Sequence, residues 1–327
     1  MKRIDLSFFD RLGKSRMPRV RYYTEAFVRE IRSRPPLSLH LSRLEARLGE
    51  ATLEKLRDRL NYYCQIESPF RLPVEAKRID EIEWSKSPSY YFLDFMEYAR
   101  FFPNDSRFDY LFKDVMHVPD HPTIVKSRPI GDNVNSVLFK LNKLRHFHFV
   151  KDRKRFREKN ERLIWRGAAK QEHRKAFLEK FHGKSRRIDV AHYGREKSKN
   201  PEWQGTYTSI AEQLKFSFIL SIEGRDVATN TKWVMSSNSL LMMTKPKYET
   251  WFMEGRLVAG KHYVQLADDY SDLEEKMDHF LAHPGEAEEI IEGAHCYVSQ
   301  FLQRDSEDWL SLKVLEKYLS LTISSDA

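Results

Sequence analysis

The stretch FSFILSIEGRDVATNTKWVMSSNSLLMM, residues 216–243, decides the fold class. It begins with an apolar run at 216–222, continues through a polar turn, and ends in a second apolar run at 239–243. Short continuous apolar runs are typical of strands buried on both faces of a sheet. Residues 230–237 between them read as a short helix, so the stretch predicts a strand–turn–helix–strand unit.

The same alternation continues over the second half of the chain. Helices are predicted at 171–181, after Ser271, and from 287 to 301. Further strands are predicted at 162–165, 186–191 and 263–267. Strands that alternate with helices predict an α/β fold with a mostly parallel sheet covered on both faces. Sheets of this kind bind ligands at the carboxyl ends of their strands.

The first half has a different pattern. Its first 60 residues read as helical, and Leu53, Leu56 and Leu60 form an apolar stripe on one helix face. Residues 84–112, from Trp84 onward, are rich in aromatic side chains, which we interpret as core packing, with a sugar-binding platform for one or two of them as the alternative. Because no Gly/Ser linker is present, we place the domain junction in a basic stretch near residue 155.

Length and composition indicate a globular protein of two domains or one large α/β domain. The chain has 327 residues, of which 41% are hydrophobic and 32% charged. No apolar run approaches the roughly 18 residues that a membrane span needs, and the N-terminus lacks a secretory apolar region. The two cysteines, Cys64 and Cys296, exclude a disulfide framework and a cysteine-based zinc module, and they suit a cytoplasmic protein.

The positive charge is concentrated in one window. Residues 141–175 hold 13 Lys/Arg and 4 Asp/Glu, which accounts for the whole formal net charge of +8. A concentrated positive field usually meets phosphate, in a nucleic acid, a nucleotide, an anionic lipid or a phosphorylated glycan. The alternative is a solvated basic helix face around residues 151–159.

Several standard sites are absent from the sequence. There is no P-loop, no G-x-G-x-x-G, no G-x-S-x-G, no H-E-x-x-H and no D-x-D. The pair Asp268–Asp269 is interpreted as a solvated loop. His117 and His121 stand four apart, but prolines interrupt their segment, which disfavours a metal role. His146 and His148 are interpreted as part of a strand or basic face rather than as a ligand pair.

Three segments carry the polar residues of a candidate site: 112–133, 163–174 and 221–243. Arg166 follows a strand and precedes a helix N-terminus, and both features favour a phosphate there. Gly224 allows the backbone to approach a ligand closely. The three segments predict an anionic ligand in a cleft at the strand ends, with ordinary strand–helix turns as the alternative.

The order WRGA, EG-x-D-x-A-x-N-x-K-W-x-x-x-S-N-S-L, KPKYETWFMEG resembles glycosyltransferase family 90 over roughly residues 90–303. KSRPI and the following N-x-x-L-x-K-L-x-x-x-R-H-F resemble its bacterial lipopolysaccharide-core branch, related to capsule xylosyltransferases and protein O-glucosyltransferases. The resemblance implies a GT-B fold, with two Rossmann-like domains facing a central cleft and here a helical N-terminal segment. It also implies a UDP-sugar donor, inversion at the anomeric carbon, and neither metal nor other cofactor.

With this resemblance, the domains acquire expected roles. Residues 1–155 form an acceptor-side domain with a helical start followed by α/β structure. Residues 156–305 form the Rossmann-like domain that binds the nucleotide-sugar. Residues 306–327 form a C-terminal helix that packs back on the N-terminal domain.

The resemblance also implies donor-binding residues. Arg166 faces the diphosphate, and Glu249 lies on the ribose. Thr231 stands where the eukaryotic branch has a phosphate-contacting arginine, so Lys232 or Arg225 is expected to replace that contact. The full predicted donor set is Arg166, Gly167, Glu223, Gly224, Thr231, Lys232, Asn238, Ser239 and Glu249.

Inversion needs a general base that takes the proton of the acceptor hydroxyl. The family's segment aligns with KDVMHVP and makes Asp114 the first choice, with Asp120 second and Asp132 third. Phosphate or acceptor contacts are expected from Lys126, Arg128, Arg145 and His146.

The sequence thus predicts a cytoplasmic transferase that moves glucose or galactose from a UDP-sugar to the lipopolysaccharide core. Loose attachment to the inner membrane face is expected, through the basic window or through Lys2, Arg3, Phe8, Phe9 and Arg11. One alternative is a nucleic-acid-binding protein that uses residues 141–175, although the transferase prediction includes no nucleic acid. The other is an inactive family member that serves as a scaffold.

Overall fold

A computed structural model describes residues 17–31, 35–83, 89–194 and 196–323. Trp84 and the predicted membrane contacts Lys2, Arg3, Phe8, Phe9 and Arg11 lie outside these ranges. No helix of the described ranges is both long and apolar enough to cross a bilayer.

Helices and strands alternate through the second half, as predicted. The helices are α1 (Met17–Ile31), α2 (Leu37–Leu48), α3 (Glu50–Tyr63), α4 (Ser89–Ala99), α5 (Lys143–His146), α6 (Glu172–Phe181), α7 (Ile210–Gln213), α8 (Thr231–Met235), α9 (Leu273–Ala282), α10 (Pro284–Ser299) and α11 (Arg304–Ser320). The strands are β1 (Phe70–Arg71), β2 (Lys77–Arg78), β3 (Arg107–Phe108), β4 (Tyr110–Leu111), β5 (Thr123–Val125), β6 (Ser127–Pro129), β7 (Ser136–Leu138), β8 (Asn160–Gly167), β9 (Ile188–His192), β10 (Phe216–Ser221), β11 (Leu240–Thr244), β12 (Tyr248–Thr250), β13 (Val264–Leu266) and β14 (Thr322–Ile323).

The main sheet has five parallel strands in the order β9-β8-β10-β11-β13. Numbered by their sequence, these strands run 2-1-3-4-5, which is a doubly wound order. The order reverses between β8 and β10, because the chain goes from β8 to one edge and then returns to the other side. The predicted α/β class with a parallel sheet is confirmed.

Both faces of the sheet are buried, which explains the continuous apolar runs. Ile164 and Ile219 point into the larger core with helices α8, α10 and α11, whereas Leu163 and Phe218 point into a second core with α6 and α9. Side chains alternate between faces along a strand, so each apolar run supplies both cores.

The first half packs helices around a smaller parallel sheet of three short strands, β4-β5-β7. Leu53 and Leu56 are buried, as the predicted helical stripe requires. Phe95 and Phe108 are fully buried with ring centroids 5.3 Å apart, which confirms core packing for this part of the aromatic segment. The larger core includes residues from both sides of residue 155.

Helix α11 packs against α2, α3 and α4 and is fixed there by buried charges. The Glu307 carboxylate lies 2.7 Å from Nη2 of Arg59 and 2.5 Å from Nζ of Lys140, and it accepts a 2.8 Å hydrogen bond from the Trp251 indole. The three charged side chains are each 5% exposed. One carboxylate therefore neutralises two buried cations from distant parts of the chain.

The basic stretch 151–159 is not a helix, apart from a short 3-10 turn at Phe156–Glu158. Phe156 is buried, and the Lys159 ammonium is buried 2.5 Å from the Asp152 carboxylate. The predicted helix is therefore wrong for this stretch, whereas its solvated basic character is confirmed: Lys151, Arg153, Lys154, Arg155 and Arg157 are exposed.

Candidate active site at the strand-order reversal

The reversal between β8 and β10 positions the candidate site. At such a reversal the connections leave the two strands in opposite directions, and a crevice opens outside their carboxyl ends. Gly167 ends β8 and Ser221 ends β10, so the predicted segments 163–174 and 221–243 both reach this crevice.

Arg174 ties these two segments together. From α6, its guanidinium donates to the carbonyl oxygens of Glu223 (2.9 Å) and Ala168 (3.0 Å). No carboxylate of the described ranges forms an ion pair with it, and burial lowers its pKa to about 10. A partly buried cation whose hydrogen bonds go only to neutral carbonyls leaves a positive field at the strand ends, which favours an anion. Sequence reasoning missed Arg174, although it stands in the same motif as Arg166.

Arg166 is already engaged within the protein. Its guanidinium lies 2.7 Å from Asp189 Oδ1 and donates to Thr208 Oγ1 at 3.2 Å, so it fastens β8 to β9. Its predicted contact with a diphosphate would require it to leave the Asp189 carboxylate. Gly167 follows with no room for a side chain, because a Cβ there would lie 2.6 Å from the Trp165 ring.

A cluster of three charged groups joins segment 112–133 to the turn after β10. Lys126 Nζ lies 2.5 Å from Asp114 Oδ1 and 2.5 Å from Asp226 Oδ2. Asp226 also accepts a 2.7 Å hydrogen bond from Ser127, and Asp114 accepts one of 3.2 Å from the Tyr91 hydroxyl. Asp226 was not among the predicted site residues, although it is the aspartate of the EG-x-D motif.

Asp114 has the properties of a proton acceptor. Burial alone would raise its pKa, but Lys126, Tyr91 and Arg145 together hold the pKa below its usual value. Its side chain is 32% exposed, and all of its hydrogen bonds within the described ranges go to Oδ1. The carboxylate is therefore ionised at neutral pH, anchored through one oxygen, and able to accept a proton at the other.

The other candidates for the general base, and the two histidines considered for a metal site, lie elsewhere on the surface. Asp120, Asp132, His117 and His121 are all exposed. The ion pairs found among the described residues include none between Lys126 and either of the two aspartates. The structure therefore gives Asp114, but neither Asp120 nor Asp132, a fixed position beside the strand ends.

Three residues predicted as ligand contacts, Arg128, Lys232 and Glu249, are buried in ion pairs. Arg128 pairs with Glu249 at 2.8 Å, and Lys232 pairs with Glu254 at 2.7 Å. Each of these four side chains is at most 4% exposed. A buried charge needs a partner, so the expected roles of Arg128, Lys232 and Glu249 in ligand contact are replaced by roles inside the core. Thr231 is also buried, with its hydroxyl 2.7 Å from that of Ser221.

Asn238 and Ser239 lie at the opposite edge of the sheet. Both precede β11, so they stand at its amino end, away from the carboxyl ends of the strands. The Asn238 amide donates to the Lys154 carbonyl at 2.9 Å, and the Ser239 hydroxyl accepts from Lys159 at 2.8 Å. The structure thus places both residues away from the carboxyl ends of the strands, and their expected contact with the donor stays a prediction.

A small recess opens beside Glu223, at the carboxyl ends of β10 and β11. The Glu223 carboxylate accepts backbone hydrogen bonds from Lys247 (3.1 Å) and Tyr248 (3.2 Å). Burial nevertheless raises its pKa to about 7. The recess is lined by Ser221, Glu223, Val227, Ala228, Thr231, Met243, Thr244, Pro246 and Glu254.

Glu223 makes stability depend on pH. Its carboxyl keeps a proton up to about pH 7 in the native state, whereas the ordinary pKa is 4.5. Native protein therefore binds more protons than unfolded protein over this range, and stability falls as the pH rises through it. Glu223→Gln keeps an acceptor oxygen and removes the titration. We expect wild type to lose about 3 kcal/mol between pH 4 and pH 8 relative to the variant. Urea denaturation at several pH values measures this, and parallel curves would contradict the assignment.

The basic window 141–175 does not form one free cationic face. Several of its cations are bound to carboxylates, and most of these carboxylates lie more than 20 positions away in the sequence. These pairs are Lys143–Glu97, Arg157–Glu288, Lys159–Asp152, Arg166–Asp189 and Lys170–Glu196. Lys151, Arg153, Lys154 and Arg155 of the window are exposed, and they are the residues on which the nucleic-acid alternative would rest.

Three side chains that could together bind a metal ion lie far along the chain from segments 163–174 and 221–243. His279, His283 and Glu286 offer ligand atoms within 4.8 Å of one another, and all three are exposed. They belong to the junction of α9 and α10, and neither His117 nor His121 joins a group of this kind within the described ranges.

Comparison with known proteins agrees with the motif order. The sequence profile described as Glycosyl transferase family 90 matches residues 133–324. The O-glucosyltransferase LpsA of Dichelobacter nodosus is 46% identical over 267 residues, which cover 81% of this chain and 83% of that protein. The matched region includes the sheet, the strand-order reversal and Asp226. The chain therefore belongs to glycosyltransferase family 90 and is a glycosyltransferase.

Proposed function

We propose that the chain is an inverting, metal-independent hexosyltransferase that uses a UDP-sugar donor and the lipopolysaccharide core as acceptor. The observation that carries this proposal is the anchored, partly exposed Asp114 carboxylate beside the strand-order reversal. Glucose is the first donor sugar to test, because the similar LpsA protein is named an O-glucosyltransferase. A GT-B arrangement, with the nucleotide on the five-stranded sheet and the acceptor on the first half, is part of the proposal.

In the proposed reaction, the acceptor hydroxyl gives its proton to Asp114. Its oxygen attacks the anomeric carbon from the face opposite the diphosphate, so the configuration inverts. The bond from that carbon to the diphosphate oxygen breaks, and its electron pair leaves with UDP. The positive field of the partly buried Arg174 stabilises the negative charge that develops on the leaving group.

Two further parts of the proposal follow from this chemistry. The sequence has no D-x-D pair, so we expect the protein's own cations to replace a divalent metal at the diphosphate. The acceptor is anchored in a membrane, so we propose a cytoplasmic protein that works at the inner membrane face. The ionised Asp114 and its fixed partners support an active enzyme over an inactive scaffold.

Donor binding is tested by thermal shift. UDP, UDP-glucose and UDP-galactose are titrated with and without EDTA. Ligand at about 100 times its Kd stabilises the native state by about 2.7 kcal/mol, so the melting temperature should rise in both conditions. Arg174→Gln should reduce this rise, whereas Arg157→Gln in the same basic window should not, because Arg157 is exposed and pairs with Glu288. The absence of any shift in wild type would contradict the proposal.

A further inference from the structure

The junction of helices α9 and α10 carries three side chains with metal-ligand chemistry. His279 lies in the last turn of α9, His283 stands between the two helices, and Glu286 lies in the first turn of α10. One ligand atom from each, two imidazole nitrogens and a carboxylate oxygen, lies within 4.8 Å of the other two. All three residues are exposed, so a cation can reach them from solvent. His146, which is 4% exposed, has no such access.

The local fold brings the three residues together. The His283 backbone N–H donates to the His279 carbonyl at 2.8 Å, so the helical turn continues to His283 and places both rings on one face. The rings stack with their centroids 4.6 Å apart. Pro284 begins α10 directly, so no loop separates the helices, and Glu286 Oε2 lies 2.8 Å from His279 Nε2. Two helix ends therefore supply the ligands.

A hydrogen bond determines which nitrogen of His283 can bind a metal. Its Nδ1 lies 2.9 Å from the His279 carbonyl oxygen. A carbonyl only accepts, so in the neutral ring Nδ1 carries the proton and Nε2 keeps its lone pair. Metal-binding histidines usually have this arrangement, in which one nitrogen donates to a carbonyl or carboxylate and the other binds the ion. The bond is a second observation, separate from the clustering, that prepares His283 as a ligand.

The donor set determines which cation suits the site. Zn²⁺ binds imidazole nitrogens and carboxylates at about 2.0–2.2 Å, whereas Mg²⁺ and Ca²⁺ prefer oxygen ligands. Around a tetrahedral ion such ligands stand roughly 3.3 Å apart, so the contact between His279 and Glu286 must open slightly, which exposed side chains allow. Three protein ligands leave the fourth position to water. The end of α9 favours a cation and the start of α10 opposes one, so the ligands themselves must supply the affinity.

Two ion pairs place this junction at the amino edge of the main sheet. Arg187 comes directly before β9 and lies 2.6 Å from Asp278, the neighbour of His279. Arg157 comes shortly before β8 and lies 3.1 Å from Glu288 on α10. Because the strands are parallel, their amino ends share one edge, opposite the crevice at their carboxyl ends. A metal at the junction is therefore remote from the proposed reaction.

We propose that His279, His283 and Glu286 form a binding site for one divalent transition-metal ion of the zinc class, which links the end of α9 to the start of α10. The site goes beyond the proposed function and takes no part in hexose transfer. The ion stabilises the native state, because it binds side chains that only the folded junction brings together.

Zinc binding to the full chain tests the site. Protein is treated with EDTA, dialysed, and titrated with ZnCl₂ or MgCl₂ by calorimetry, and Tm is measured with and without Zn²⁺. His279→Ala/His283→Ala removes both imidazoles, and Glu286→Gln removes the anionic oxygen at similar size. The matched control is His117→Ala/His121→Ala, because these two histidines are also exposed and four positions apart but belong to no such group within the described ranges.

We expect wild type to bind one Zn²⁺ and to prefer it to Mg²⁺, and we expect its Tm to rise with Zn²⁺. His279→Ala/His283→Ala and Glu286→Gln should each bind Zn²⁺ at least about tenfold more weakly, since even outer partners of a metal ligand cost about 10–100-fold in affinity. The Tm of His279→Ala/His283→Ala should no longer respond to Zn²⁺. The control variant should keep the affinity and the Tm response of wild type.

Three results would overturn the inference. If wild type takes up no Zn²⁺, the three side chains form a hydrogen-bonded surface cluster only. If His279→Ala/His283→Ala keeps the affinity, the ion binds elsewhere on the chain. If Mg²⁺ binds as tightly as Zn²⁺, the imidazoles are not ligands. These measurements use no sugar donor, so their outcome is independent of the proposed function.

Discussion

Asp114→Asn lowers kcat for hexose transfer by roughly 10²–10⁴-fold, the range that a lost general base typically costs. Asparagine keeps the size of the side chain and can still accept from Lys126, but it cannot take a proton. Because Asp114 stands on the acceptor side of the proposed reaction, the affinity for UDP should stay within about twofold. Steady-state transfer kinetics and calorimetry with UDP measure the two effects separately.

Asp120→Asn is the competing variant for this test. Asp120 is exposed and belongs to the same loop-rich segment as Asp114, so it should keep nearly full activity. If Asp120→Asn abolishes transfer and Asp114→Asn does not, the base has been assigned to the wrong residue. If neither does, the base lies outside segment 112–133.

Glu307→Ala destabilises the protein by about 3–5 kcal/mol, the usual effect of removing one partner of a buried ion pair. The substitution leaves the Arg59 guanidinium and the Lys140 ammonium buried without their carboxylate, and the Trp251 indole loses its acceptor. A loss of this size is a large part of a typical folding free energy. Urea denaturation of purified protein measures it, and poor soluble expression at 37 °C is the accompanying effect.

Asp305→Ala in the same helix is the matched control. Asp305 pairs with Arg47 on the surface, where the two side chains are 35% and 53% exposed. An exposed pair contributes about 0–1 kcal/mol, so this variant should behave nearly as wild type does. If Glu307→Ala cost no more than Asp305→Ala, water would reach the cations and α11 would not depend on the buried network.

The sheet was predictable because its signal is local. A strand buried on both faces needs a continuous apolar run, and the run predicted at 216–222 is β10 (Phe216–Ser221) with one residue fewer. Alternation with helices then implies parallel strands, and parallel strands bring segments 163–174 and 221–243 to one edge. Family motifs added Asp114, which the structure places beside that edge.

Burial of charged residues was not predictable, because it depends on partners far away in the sequence. The sequence does not show that Glu249 is buried, because its ion-pair partner Arg128 lies 121 positions earlier in the chain. The link between Lys126 and Asp226 joins two segments about 100 positions apart in the same way. The position of Asn238 and Ser239 at the amino end of β11 was not predictable for another reason: a turn near a motif can lie at either end of a strand.

Metal-free hexose transfer at the strand-order reversal is tested most directly by one reaction. Wild type and Asp114→Asn are incubated with UDP-glucose or UDP-galactose and purified lipopolysaccharide core, with and without EDTA. The mass of the core is then measured by mass spectrometry. We predict that wild type adds one hexose mass in both conditions and that Asp114→Asn adds almost none. Transfer that stops in EDTA, or that proceeds equally well in Asp114→Asn, would contradict this mechanism.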